Sequence, residues 1–256
     1  MSLLDHIVNC KGLKKRLFAK TSVFIFLLAL SSTSTVLGWH DETHLAIAKA
    51  AGYYKWYNAT GADITKIKAG PIEKNNHFFD NSRNIVVTPE LVLEQAKRYN
   101  DPNDNEGHIY GAIIESLRKY IETKQKGKYA EYHLAFCAHY IGDLSQPLHN
   151  IPYDNFNKIH HNANDRVIEK EVLAKIRKIK ANMYPIKLRP AHFEKDLAQE
   201  IAKIANYSRK LGYKLKKEDR DLTKEEAYRQ LGQSASLLKA VLKYVGSLKS
   251  TPNQLP

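Results

Sequence analysis

From Thr43 onward, apolar and polar residues recur at the three-to-four spacing of helices, and no stretch alternates with the period of two that a half-buried strand needs. The segment THLAIAKAAGYYKWY carries small and apolar residues at helical spacing. DITKIKAG reads as a short helix opened by Asp63 as its cap and closed by Gly70. TPELVLEQAKRY begins with Thr88 as N-cap and Pro89 at the first helical position. HIYGAIIESLRKYIETKQKG and KYAEYHLAFCAHYIGDLSQ follow, the second stopped by Pro147. ANDRVIEKEVLAKIRKI, FEKDLAQEIAKIANYSRKL and TKEEAYRQLGQSASLLKAVLKYVGSL complete the set. The pattern predicts an all-α fold, a single multi-helix domain over residues 39–248, with no internal repeat and a loose tail over 249–256.

Residues 1–38 break this pattern. The basic run KGLKKRLFAK precedes the apolar run VFIFLLALSS and the small-residue stretch TSTVLG, the order of a secretory signal peptide. The apolar run is shorter than the roughly 20 residues that cross a bilayer, which argues against an uncleaved anchor. Cleavage near Gly38 would make Trp39 the new N-terminus of a secreted or periplasmic protein. The chain of 256 residues is long enough for a substantial core. Losing the leader takes five of the 40 basic and one of the 27 acidic residues and leaves 35 against 26, a net +9. Such a balance suits phosphate-bearing partners, whether lipid headgroups or nucleic acid, without demanding either. Cys10 would leave with the leader and Cys137 would stand alone, so stability is expected from packing or bound metal and not from a disulfide.

The chemistry gathers around histidines. In HYIGDLSQPLH, His139 and Asp143 stand four apart on one helix face, and Pro147 stops the helix just before His149. Alone, such a pair reads equally as a solvated ion pair or a satisfied buried histidine. The association repeats, however: WHDETH ends at His44, Asp63 follows, HFFD begins at His77, and in HHNAND His161 and Asp165 again stand four apart. Imidazole nitrogen with carboxylate oxygen suits zinc and needs no thiolate. Asp63 is readable as a helix cap or as a ligand, and Trp39 as a core residue or a terminal one. Together the pieces predict a multi-metal site in a helical bundle.

The order and spacing from Trp39 to about Asp165 resemble the zinc-dependent phospholipase C and nuclease P-one superfamily, all-α proteins that bind three zinc ions. The resemblance implies a free N-terminal tryptophan, Trp39, that binds metal through its own amino and carbonyl groups. It further implies one zinc held by Asp63, His77 and His139, with Asp143 bridging to a second held by Trp39 and His44. His149, His161 and Asp165 would hold the third. His161 is preferred to His160 because only it has an aspartate four residues on. His40, His108, His133 and His192 match no ligand position and are expected on the surface or in the core. Asp63 and Asp143 are the catalytic candidates, Asp143 as the shared carboxylate and Asp63 as a group that orients the attacking water. The implied reaction is zinc-dependent phosphodiester hydrolysis.

The features divide over substrate. The Asp63 to His77 spacing, the missing disulfides and the compact length resemble the bacterial phospholipases; the Trp39 to His44 spacing and an aspartate at 165 resemble the nucleases. Glu42 matches the acidic member of a choline pocket, but Ile64 and Lys74 stand where that pocket has aromatics. Phe78 and Asp80 match residues that stack on and hydrogen-bond a base in the nucleases. The expectation from sequence is a phospholipase C acting on glycerophospholipids, with transient membrane-surface contact. A single-strand nuclease is the alternative and a non-catalytic zinc-binding protein the third reading. No obligate protein partner is implied.

Overall fold

The computed structural model describes residues 39–124 and 129–249, with the backbone alone at Lys124 and Lys249. The expected leader over 1–38 and the tail from residue 250 lie outside the described residues. Among the described residues every regular element is a helix and no strand occurs, as the spacing predicts.

Helix α1 (Asp41–Ala51) ends at Gly52, whose φ of 85° is left-handed backbone that glycine adopts without strain. The expected continuation to Tyr57 is therefore corrected to a helix, a break and a 3-10 turn at Trp56–Asn58. Helix α2 (Gly61–Ala69) begins after Thr60, so Asp63 lies inside its first turn and not at its cap, a second correction. Short α3 (Pro71–Lys74) follows at once. Helix α4 (Pro89–Ala96) starts as expected: the Thr88 hydroxyl accepts the Leu91 N–H at 3.2 Å, and Pro89 opens the first turn. Helices α5 (Ile109–Lys124) and α6 (Ala130–Leu144) come next, then a 3-10 turn at Pro147–Asn150.

The segment from Ala163 to Ile179 is not one helix. It divides into the end of α7 (Asn155–Asp165), α8 (Glu169–Val172) and α9 (Ile176–Ala181). The physical reason lies with Glu169. Its carboxylate accepts the backbone N–H groups of Glu42 at 2.8 Å and Thr43 at 3.1 Å, and the Thr43 hydroxyl at 2.8 Å. It thereby caps the first turn of α1, which has no side-chain cap of its own. These bonds tie the start of α8 to the first turn of α1. Helix α10 (Phe193–Glu218) runs past the expected end at Leu211, and α11 (Lys224–Lys249) closes the fold.

Helix α6 is buried along most of its length from Leu134 onward and sits in the middle, touching α1, α2, α5, α10 and α11. Its neighbours fit closely: a Cβ on Gly142 would meet His44 Nδ1 at 2.5 Å, so only glycine lets α1 lie this near. Helix α11 ties itself to the same helix through polar bonds, with Gln230 Nε2 donating to Ser145 O at 2.7 Å and the Ser234 hydroxyl to Ile141 O at 2.5 Å. No helix among the described residues is long and apolar enough to cross a membrane.

Candidate metal centre

The central placement of α6 carries His139 and Asp143 into the interior, where both are fully buried. His139 Nε2 lies 3.2 Å from Asp143 Oδ2, as the four-residue spacing requires. Three other segments converge on this pair. His77, in the turn after α3, places Nδ1 at 2.9 Å from Asp143 Oδ2 and 3.3 Å from His139 Nε2. Asp63 reaches from α2, with Oδ2 3.7 Å from His139 Nε2 and Oδ1 3.9 Å from His77 Nδ1. His44 comes from α1: its ring stacks on His139 at 3.8 Å, and its Nε2 lies 3.2 Å from the second Asp143 oxygen.

A second group sits alongside. His149, on the turn that Pro147 opens, and His161, on α7, bring their Nε2 atoms to 3.2 Å, and His161 Nε2 lies 3.4 Å from Asp165 Oδ2. His149 Nδ1 is also 3.8 Å from Asp143 Oδ1, so the two groups adjoin. The structure thus brings together His44, Asp63, His77, His139 and Asp143 as one cluster, and His149, His161 and Asp165 as another. Three sets of potential ligand atoms fall within 4.8 Å of one another: His44, Asp63 and His139; His77, His139 and Asp143; and His149, His161 and Asp165. The third has the same members as one expected grouping; the second holds His77, His139 and Asp143 of the expected first site but not Asp63. In the first, Asp63 joins His44 as well as His139, so the two sites expected around Asp143 form a continuous group.

The donor set fits divalent cations, and the test is where each ring nitrogen points. His139 Nδ1 donates to the Ala59 carbonyl at 2.7 Å, and His149 Nδ1 to the His77 carbonyl at 2.7 Å. His161 Nδ1 donates to Asn157 Oδ1 at 2.6 Å; the Asn157 amide nitrogen is engaged with backbone carbonyls, which fixes Oδ1 as the acceptor. Each ring therefore spends one proton outward and turns its second nitrogen inward. Two lone pairs 3.2 Å apart, at His149 and His161, attract nothing but a shared cation or proton. Asp63 Oδ2, Asp143 Oδ1 and both nitrogens of His44 are likewise buried without hydrogen bonds, although His44 Nε2 and Asp143 Oδ1 are close. Buried polar atoms so placed are costly unless an ion joins them.

Electrostatics prepare the same state. Burial, reinforced by His139 beside His44 and by His149 beside His161, holds both of these imidazoles below their usual range, and burial lowers His149 to about 4. These three are neutral imidazoles at neutral pH, the state in which a histidine can bind metal. Burial opposes ionisation of Asp63 and Asp143, but the surrounding histidines outweigh it: Asp63 falls to about 2, helped by Lys66 at 2.5 Å, and Asp143 falls well below the carboxylate range. Burial opposes the charge on His139 as well, yet Asp63 and Asp143 raise it to about 9.

The remaining expected residues are placed as follows. Trp39 is fully buried, and the next residue's backbone nitrogen lies 3.5 Å from the Asp165 carbonyl, so the start of the described chain sits beside the second cluster. Glu42 is exposed on α1 and directs no contact into either cluster. Phe78 and Asp80 are half-buried just past His77. The Asp80 carboxylate accepts the Tyr153 N–H, and burial raises it to about 6; the Tyr153 ring meets His161 edge-on at 6.0 Å. His160 faces away, toward Asp221 at 2.8 Å. His108 is buried, His40 and His133 are half-buried, and His192 is exposed.

Sequence reading missed the outer ring of partners. Glu73 is buried 3.4 Å from His77 Nε2 and accepts the Tyr140 hydroxyl at 2.5 Å. Asn157 and Gln146, whose amide donates to Asp165 Oδ1, orient the second cluster. Only Glu73, four residues before His77, left a readable signal.

The S1/P1 Nuclease family model matches residues 41–237, a span holding every candidate ligand except Trp39. No curated protein and no solved structure matches the chain. With well over half its length matched and the buried imidazoles and carboxylates converging as described, the chain belongs to the S1/P1 nuclease family, a group of zinc-dependent phosphodiester hydrolases.

Proposed function

We propose that the protein is a secreted, three-zinc nuclease that cleaves single-stranded nucleic acid. The family match carries this reading over the phospholipase C preferred from sequence. Two features of the site support it. The positions where a choline pocket would need aromatic faces hold Ile64, which is exposed, and Lys74, also exposed. Phe78, Asp80 and Tyr153 instead form a partly open patch beside the second cluster, offering ring faces for stacking and a carboxylate for a base N–H.

In this reading Asp63, His77, His139 and Asp143 would hold one ion, Asp143 with His44 and the amino and carbonyl groups of Trp39 a second, and His149, His161 and Asp165 a third. When bound, such ions lower the pKa of water from 15.7 toward about 7 and offset charge on phosphodiester oxygens. The chain's own residues do the rest. Asp63 stays ionised and accepts a hydrogen bond from the attacking water, aligning it with phosphorus. Lys66, against Asp63, adds positive charge at the edge of the site. The bond from phosphorus to the leaving alkoxide breaks opposite the attack. Removal of residues 1–38 would free the Trp39 amine, whose unperturbed pKa is near 8.

The test measures zinc content and compares hydrolysis of single-stranded DNA, duplex DNA and phosphatidylcholine, with and without chelator. Chelator-sensitive cleavage, fastest on single strands, is expected. A higher kcat/KM on the lipid would return the assignment to phospholipase C.

A further inference from the structure

We propose that the α2–α3 segment is a docking face for an anionic lipid surface. An amphipathic helix ordinarily buries its apolar side. Helix α2 does the reverse: it buries Ala62 and the Asp63 carboxylate and presents Ile64 and Ile67 to solvent at 60% and 82% exposure. Ile72 of α3 adds a third isoleucine at 45%. The exposed residues from 61 to 74 are Ile64, Ile67, Lys68, Pro71, Ile72 and Lys74. Both carboxylates of the stretch, Asp63 and Glu73, are turned inward.

A single exposed isoleucine needs no explanation. Three within nine residues, interleaved with lysines and free of exposed acid, do. The composition selects the occupant. Aliphatic side chains gain by entering hydrocarbon, and lysines are drawn to anionic headgroups. Nucleic acid would satisfy the lysines, but isoleucine offers no ring on which a base can stack. An acidic protein would also pair with the lysines, but protein interfaces are poor in lysine and anchored by aromatic and arginine side chains, none of which is exposed on this stretch. Because Asp63 stands on α2 itself, docking by this face would bring the metal centre close to the lipid surface. The inference goes beyond the nuclease reading and holds whichever phosphodiester is cut.

The experiment sediments the secreted protein, from which residues 1–38 have been removed, with vesicles of phosphatidylglycerol and phosphatidylcholine in equal parts, and with pure phosphatidylcholine. The parent is compared with I67S/I72S and with K68E/K74E, so that no basic and apolar leader anchors any of them to the lipid. Partition onto the anionic vesicles should fall by at least about tenfold in I67S/I72S. In K68E/K74E it should fall severalfold, and raised salt should weaken the parent likewise. Both variants should keep the parent's melting temperature, and I67S/I72S its rate on a soluble phosphodiester, which separates a failure of docking from a failure of the enzyme. Equal vesicle binding by parent and I67S/I72S would overturn the proposal. So would a loss confined to oligothymidylate binding, which would give the face to nucleic acid.

Discussion

The turn before α5 and the centre of α6 each bury a histidine completely, and the two use their second nitrogen in opposite ways. His108 places Nδ1 at 2.8 Å from Asp104 Oδ2 and Nε2 at 2.8 Å from Asn76 Oδ1, so both nitrogens are satisfied by protein oxygens. His139 spends Nδ1 on Ala59 O and turns Nε2 into a space shared with His77, Asp63 and Asp143. Burial alone therefore separates nothing. A structural histidine closes its hydrogen bonds within the chain, whereas a ligand histidine keeps one lone pair for an ion.

The largest effect should come from breaking the shared carboxylate. Asp143→Asn removes the charge that faces His44, His77 and His139, and should lower turnover by about a thousandfold or more, with loss of bound metal measured on the same sample. Retained metal and rate would remove Asp143 from the site. Chelation is expected next: stripping metal should lower the melting temperature, by an amount equivalent to about 4 kcal/mol where free metal stood near 1,000 times Kd. A metal-free protein that melts at the same temperature would show that these polar atoms close without an ion.

His108→Ala sharpens the contrast from the other side. It leaves Asp104 and Asn76 short of a partner in the interior and should destabilise the fold by about 1–3 kcal/mol in denaturant melts. Metal content per folded molecule should stay at the parent level. The sequence left His108 between surface and core; the structure buries it completely.

The smallest effect concerns the patch beside the second cluster. Asp80 takes up its proton near pH 6 in the folded protein and near 3.8 otherwise. Between those values the folded state holds the extra proton, so this group favours folding more as pH falls and less as pH rises through 6. Its capacity to accept a base N–H changes in the opposite sense. KM for single-stranded DNA should therefore rise severalfold as pH falls through about 6, and Asp80→Asn should remove that limb from the profile. An unchanged limb in the variant would assign it elsewhere.

Much of the histidine–carboxylate clustering was legible because its members advertise themselves locally. His139 with Asp143, and His161 with Asp165, lie four apart on single helices, and Pro147 marks the turn that presents His149. The all-α class followed likewise from spacing within each segment. What escaped was whatever depends on a partner distant in sequence. Glu169 caps α1 from more than a hundred residues away and breaks a run that reads as one helix. Gly142 has meaning only because His44 lies against it. The inversion of α2 cannot be read from its own pattern, since Ile64 and Ile67 resemble a core-facing pair until the packing buries Asp63 in their place.

By itself the sequence determined the all-α class and the residue types that could bind a cation, because helical periodicity and ligand chemistry are both written within a few neighbouring positions. The tertiary structure decided which nitrogen of each histidine faces inward, which carboxylate is shared and which apolar residues are left outside. Those depend on where backbone carbonyls and distant side chains come to rest, and a local pattern holds no record of them.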